Sequence, residues 1–72
     1  NKAIEINPRD PRAHNNRGSA WYFKGVYDRA IADYNKALEI NPGYTDIYRR
    51  RGNAWYSKGD YDRAIADYNR VP

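Results

Sequence analysis

Tyr27-Asp28-Arg29-Ala30-Ile31-Ala32-Asp33-Tyr34-Asn35 recurs, residue for residue, as Tyr61-Asp62-Arg63-Ala64-Ile65-Ala66-Asp67-Tyr68-Asn69, 34 positions later. The repetition extends well beyond this stretch. Trp21-Tyr22 returns as Trp55-Tyr56, Lys24-Gly25 as Lys58-Gly59, and Asn7-Pro8 as Asn41-Pro42. Shifting the chain by 34 pairs 38 positions, of which 23 are identical. A period of this length describes one supersecondary unit stacked on copies of itself, because a single unit cannot bury its own apolar face. Such stacks offer extended binding surfaces more readily than enclosed catalytic pockets.

Within the repeated stretch, Tyr27, Ala30, Ile31, Tyr34, Ala37 and Leu38 fall at steps of three and four. That spacing draws one apolar stripe along a helix, with Asp28, Arg29, Asp33 and Lys36 off it as surface and helix-dipole charges. The helix stops near Ile40, where Asn41-Pro42-Gly43 forms a turn. An earlier helix starts at Asp10-Pro11, a preferred cap followed by a proline whose missing N–H is no loss at that position. It ends near Lys24, with Gly25 free to adopt the left-handed conformation. Its core stripe is Ala13, Arg17, Ala20 and Trp21, and Gly18 beside it admits a close neighbour. The second period predicts helices over 45–58 and 61–70. Asp60 caps the last one, whereas Val26, at the equivalent place, cannot cap.

Composition sets the outer bounds. The 72 residues contain no cysteine and one histidine, and carry a net charge of +4. Neither a disulfide nor a metal cluster can staple so short a chain, and no cofactor is expected. No stretch reaches the length of a membrane span and nothing resembles a signal peptide, which fits a cytoplasmic protein. Eight tyrosines and two tryptophans are an unusual load, suited to filling a core or lining a contact face.

The chain resembles the tetratricopeptide repeat family, whose unit shows Trp-x-x-Leu-Gly-x-x-Tyr, then Ala-x-x-x-Phe, then Pro. Here the first unit reads His14-x-x-Arg17-Gly18-x-x-Trp21, Ala30-x-x-x-Tyr34 and Pro42. The second reads Tyr48-x-x-Arg51-Gly52-x-x-Trp55 and Ala64-x-x-x-Tyr68. Arg17 and Arg51 replace the motif's leucine, and their stems can lie on the core with the guanidinium in water. The resemblance implies an all-α fold: antiparallel helix-turn-helix repeats stacked as a short right-handed superhelical α-solenoid. One domain spans 1–72, with a partial helix of a preceding repeat at 1–8, a full repeat at 9–42 and a shortened one at 43–72. The helical stub, Lys2 to Ile6, is expected to dock Ala3, Ile4 and Ile6 on the first full unit. The chain reads as a piece of a longer array or as an engineered scaffold.

The resemblance also implies that the first helices line a concave groove. At 100° per residue, Arg12, Asn15, Ser19 and Tyr22 lie opposite the core stripe, as do Asp46, Arg49, Asn53 and Tyr56 one period later. The candidate ligand contacts are Asn15, Ser19, Tyr22, Arg49, Asn53 and Tyr56. Arginine and asparagine supply directional donors for a carboxylate and a peptide backbone. Some family members hold a peptide's acidic C-terminus through such residues, and here Arg49 and Asn53 match that pattern. Arg49-Arg50-Arg51 points in three directions: groove, rim and core edge. Trp21, Trp55, Tyr27, Tyr61, Tyr34 and Tyr68 are read as core, and His14 as a half-buried packing residue.

These residues favour a protein-interaction scaffold that takes an extended peptide or helix, with an acidic segment or C-terminal carboxylate, in the groove. The alternative is a self-associating fragment whose uncapped ends stack, with Ala64, Ile65 and Tyr68 presented at one end. RNA binding ranks third, because nine acidic residues interrupt the basic ones. Catalysis ranks last, since no nucleophile and base are paired and no phosphate loop is present.

Overall fold

In the computed structural model, which describes residue 4 and residues 7–72, four helices follow one another. They are α1 (Pro11–Phe23), α2 (Tyr27–Ile40), α3 (Asp46–Lys58) and α4 (Tyr61–Tyr68). The described residues include no strand. The stub expected at 2–6 lies outside the described residues except for Ile4, which is helical and half-buried.

Local chemistry sets the helix ends. The Asp10 carboxylate accepts from the Arg12 backbone N–H at 2.9 Å, satisfying one of the unpaired donors at the start of α1. The Arg12 side chain clasps the same carboxylate and holds its pKa below the usual carboxylate range. Asp60 caps α4 through the Arg63 N–H at 3.3 Å, whereas Val26 gives α2 no side-chain cap. Gly25 and Gly59 turn the chain between paired helices at φ 81° and 91°, a region that costs other residues strain. The final helix is shorter than its sequence pattern: α4 ends at Tyr68, and Asn69 and Arg70 form a turn.

Packing is sequential. α1 lies on α2, α2 on α3 and α3 on α4, while α1 and α3 also touch along one side. The core sits where α2 meets α3, built from Ala30, Ile31, Tyr34, Ala37, Leu38, Ile47 and Ala54. Burying side chains the size of Ile47 or Tyr34 contributes about 1.5–3 kcal/mol each. Close approach within each pair depends on glycine. A Cβ on Gly18 would sit 2.9 Å from the Tyr34 ring and 3.2 Å from the Ala30 carbonyl oxygen. On Gly52 it would sit 2.7 Å from the Tyr68 ring.

Several sequence expectations are corrected. Ala20, placed in the core stripe, is exposed, although its equivalent Ala54 is fully buried. Ala54 faces α2, and among the described residues no helix occupies the corresponding place beside Ala20. Tyr61, read as core, is 57% exposed. Ala64, expected on the open end face, is instead buried between α3 and α4. Trp21 and Trp55 are half-buried, and each carries a guanidinium over its ring, Arg29 and Arg63, both at 4.8 Å. His14 is more deeply buried than expected. Its Nε2 lies 2.9 Å from the Pro8 carbonyl oxygen, which can only accept, so Nε2 carries the proton.

The largest correction concerns Asp33 and Asp67, read from sequence as surface charges. Both are 5% exposed. Each accepts a two-pronged contact from the arginine that replaces the motif's leucine. Arg17 reaches Asp33 at 2.8 and 2.7 Å, and Arg51 reaches Asp67 at the same two distances. The arginines therefore do more than extend to water: they neutralise a buried carboxylate in the partner helix. Two parallel N–H···O bonds fix the geometry between the helices. The carboxylates push both guanidiniums further above their already high pKa.

Candidate functional site

The groove forms where α1 and α3 run side by side, and it is narrow. Ser19, Tyr22, Phe23, Arg49, Arg50 and Asn53 line a cleft of about 140 Å³, with the Tyr34 hydroxyl at its floor. Ser19, Tyr22, Arg49 and Asn53, four of the six contacts expected from sequence, are thus brought together.

The remaining two lie elsewhere. Asn15 is buried, and its Oδ1 has no hydrogen-bond partner among the described residues. Helical phase put it opposite the core stripe, but that side of α1 is not open at this point. Tyr56 is 60% exposed, outside the cleft, with its ring 5.2 Å from Tyr61. Tyr22 is less free than expected. It packs half-buried against the core cluster, and its hydroxyl lies 3.4 Å from Ser57 Oγ.

A polar network crosses the cleft from one repeat to the other. Ser19 Oγ lies 3.0 Å from the Tyr34 hydroxyl and accepts from Arg50 at 3.2 Å. Arg50 also donates to Asp46 at 3.0 Å, while Arg49 donates to the other oxygen of Asp46 at 2.6 and 3.1 Å. One carboxylate therefore holds both groove arginines, and they in turn lower its pKa. Burial raises the pKa of the Tyr34 hydroxyl, which stays protonated and able to donate. Asn53 accepts from the Tyr68 hydroxyl at 2.5 Å, which leaves its amide N–H groups able to donate.

Sequence reasoning missed two contributors. Tyr34 was assigned wholly to the core, although a buried tyrosine usually brings its hydroxyl to a polar boundary. Arg50 was placed at the rim. Asp46, four residues earlier on the same helix, was the available signal that Arg50 would be held within the groove.

A wider, shallower depression of about 610 Å³ lies by the turns at Asn7, Asp10, Asn41 and Tyr44, away from these groups. Among the described residues, no three His, Cys, Asp or Glu side chains gather as a metal site. No described helix is long and apolar enough to cross a membrane.

Two stacked helix pairs with a shared inner groove define a helical-repeat protein. The tetratricopeptide repeat profile matches residues 11–44 and again residues 45–71. The chain belongs to the tetratricopeptide repeat family. Repeats of this family are in general protein-interaction scaffold units, on a fold that is non-catalytic. A search of curated proteins finds no match to the chain.

Proposed function

We propose that the chain is a protein-interaction scaffold whose α1/α3 groove takes an extended peptide segment bearing a carboxylate, at a side chain or at its C-terminus. The observation that carries this reading is the convergence of Arg49, Arg50, Ser19, Tyr22 and Asn53 on one cleft. All five offer hydrogen-bond donors, and the two guanidiniums add charge-assisted strength toward an anion. Asn53 suits a peptide carbonyl, and Tyr22 presents a flat apolar face with a polar tip. Tyr56 belongs to the edge of the proposed path, not to its centre, and the buried Asn15 lies off it.

RNA is the weaker alternative. Outside the groove, Arg12, Arg17, Arg51, Lys58 and Arg63 each pair with an aspartate. Positive charge committed in this way does not form the continuous stripe that follows a phosphate backbone.

The test uses an array of fluorescent peptides ending in Asp or Glu with a free carboxylate, each paired with its C-terminally amidated form. The free-carboxylate peptides are expected to bind better. Arg49→Ala should weaken binding about tenfold, the equivalent of roughly 1.4 kcal/mol. Lys36→Ala, on the exposed outer face, removes the same charge and should leave binding unchanged. Equal losses from both substitutions would reduce the effect to bulk charge. Binding to a single-stranded oligouridine with steep salt dependence, and to none of the peptides, would replace this reading with RNA recognition.

A further inference from the structure

The two units differ where the groove carries its charge. Arg49 and Arg50 stand where the first unit has Asn15 and Asn16, and Asp46 stands where it has Arg12. The two arginines and the aspartate therefore occur together in one unit and are together absent from the other. Among the described residues, Asp46 is the only carboxylate that pairs with either arginine. Two guanidiniums and one carboxylate leave the cluster a net charge of +1.

Asp46 divides its two oxygens between them. Oδ1 accepts from Nε and Nη2 of Arg49, at 3.1 and 2.6 Å, and Oδ2 accepts from Nε of Arg50 at 3.0 Å. Arg50 Nη1 donates to Ser19. Among the described residues, Nη1 of Arg49 and Nη2 of Arg50 have no partner. Each arginine thus keeps one terminal nitrogen for a ligand, and together these match the two oxygens of a single carboxylate. The neutral donors of Tyr22 and Asn53 line the same cleft. An aspartate at the start of a helix is favourable in itself, through the helix dipole. That role needs no guanidinium, whereas here both oxygens of Asp46 are engaged by one. Hydrogen bonds from Arg49 and Arg50 hold the Asp46 carboxyl below the usual carboxylate range, so its negative charge persists at neutral pH.

We propose that Asp46 determines the groove's anion specificity: by cancelling one of its two positive charges, it suits the cleft to a singly charged carboxylate and sets it against a phosphate dianion. This inference rests on the peptide reading above and names the anion such a peptide presents. One carboxylate brings the cluster to neutrality. A phosphoserine, with a charge of about −1.5 to −2 at neutral pH, overshoots neutrality and sets its excess charge beside the Asp46 carboxylate. Repulsion from Asp46 acts on every ligand charge, so it weighs about twice as heavily on the dianion. The site is partly open to solvent, which limits the effect to about a fivefold loss of affinity per ligand charge.

Fluorescence anisotropy tests it with peptides that share one neutral sequence and carry a single anionic group. The group is a free C-terminal carboxylate, a glutamate side chain or a phosphoserine side chain, the last two in amidated peptides. The readout is the Kd of the phosphoserine peptide divided by that of the tighter-binding carboxylate peptide, a ratio in which any general loss of folded protein cancels. Wild type should favour the carboxylate. Asp46→Asn keeps an oxygen to hold an arginine but removes the charge. It should bind the carboxylate about fivefold and the phosphoserine about 25-fold more tightly, which moves the ratio about fivefold toward phosphate. Asp46→Glu keeps the charge and should keep the wild-type preference. Asp46→Ser, also suited to a helix start, replaces the Asn variant if that one loses helical circular dichroism. A ratio that Asp46→Asn leaves unmoved overturns the proposal while the peptide reading stands. An Asp46→Glu ratio that shifts as far as that of Asp46→Asn does the same. Binding of none of the three peptides, by wild type or variant, overturns the peptide reading and this assignment with it.

Discussion

Residues 27–35 and 61–69 have the same sequence and different surroundings. In α2 the stretch is enclosed by α1 on one side and α3 on the other, and Tyr34 is 2% exposed. In α4 it touches α3 alone, and Tyr68 is 37% exposed. Ala30 and Ala64 are both buried, because they face the partner helix inside their own unit. Ile31 and Ile65 diverge, because they face the next unit. The pattern of a repeat therefore encodes two separable faces, one satisfied within the unit and one that needs a neighbour. Burial of the second face is a property of position in the stack, not of sequence.

The most severe test of this contrast is Tyr34→Ala against Tyr68→Ala. The first should cost about 3–5 kcal/mol, as large-to-small changes at fully packed aromatic sites do. Tyr68→Ala should cost less than half as much, read as a smaller fall in the urea midpoint. Equal shifts would mean that α4 is as enclosed as α2 in solution.

Next in size come the arginines. Arg17→Ala and Arg51→Ala each strand a buried carboxylate, which should cost about 3 kcal/mol. Arg51→Ala also removes the bond to Asn35 across the junction, so it should exceed Arg17→Ala by about 1 kcal/mol. Replacing both partners, Arg17→Leu with Asp33→Leu, should restore most of the loss in thermal melts, because no unpaired charge then remains.

The glycines sharpen the comparison further. Gly52→Ala shows the shorter clash, but against a ring that is one-third exposed and can swing away. Gly18→Ala meets a ring locked in the core and a backbone oxygen. Gly18→Ala should therefore destabilise by about 1–3 kcal/mol. For Gly52→Ala the gain in helix propensity, up to about 1 kcal/mol, should roughly cancel the strain. Urea denaturation of the two variants side by side decides the order.

The smallest effect is on acid stability. Hydrogen bonds from Arg49 and Arg50 depress the folded-state pKa of Asp46 below its ordinary value. Its contribution is therefore fully present above the unfolded carboxylate pKa and disappears as pH falls through the lower folded value. Because the side chain is 45% exposed, that contribution stays below about 1 kcal/mol. Asp46→Asn should slightly flatten the acid limb of the stability curve between about pH 2 and pH 5.

Most of the fold was legible because it is written twice. The period, the Asp10-Pro11 start, the Asn41-Pro42-Gly43 stop and the Gly18 approach each rest on local chemistry that a sequence displays. The buried state of Asp33 and Asp67 was not read, since charge alone suggests solvent. The clue was joint: Arg17 and Arg51 occupy an apolar position, and an aspartate follows each at a constant spacing of 16. Groove residues were located by helical phase, which finds the open side of an isolated helix. It could not foresee that Asn15 would be buried, because that depends on what surrounds the helix in the fold. The hold of Asp46 on both arginines, at i+3 and i+4 along one helix, was open to it and was missed.

Each buried Arg–Asp pair lies wholly within one repeat, Arg17 with Asp33 and Arg51 with Asp67. The side-chain contacts between repeats, Arg51 with Asn35, Arg50 with Ser19, Tyr22 with Ser57 and Lys58 with Asp28, involve a neutral partner or a largely exposed carboxylate. Cutting, duplicating or transplanting a whole 34-residue unit therefore never separates a buried charge from its counter-charge. Units of this type can be copied in genes or rearranged by protein engineers at little electrostatic penalty, because each carries its own neutrality with it.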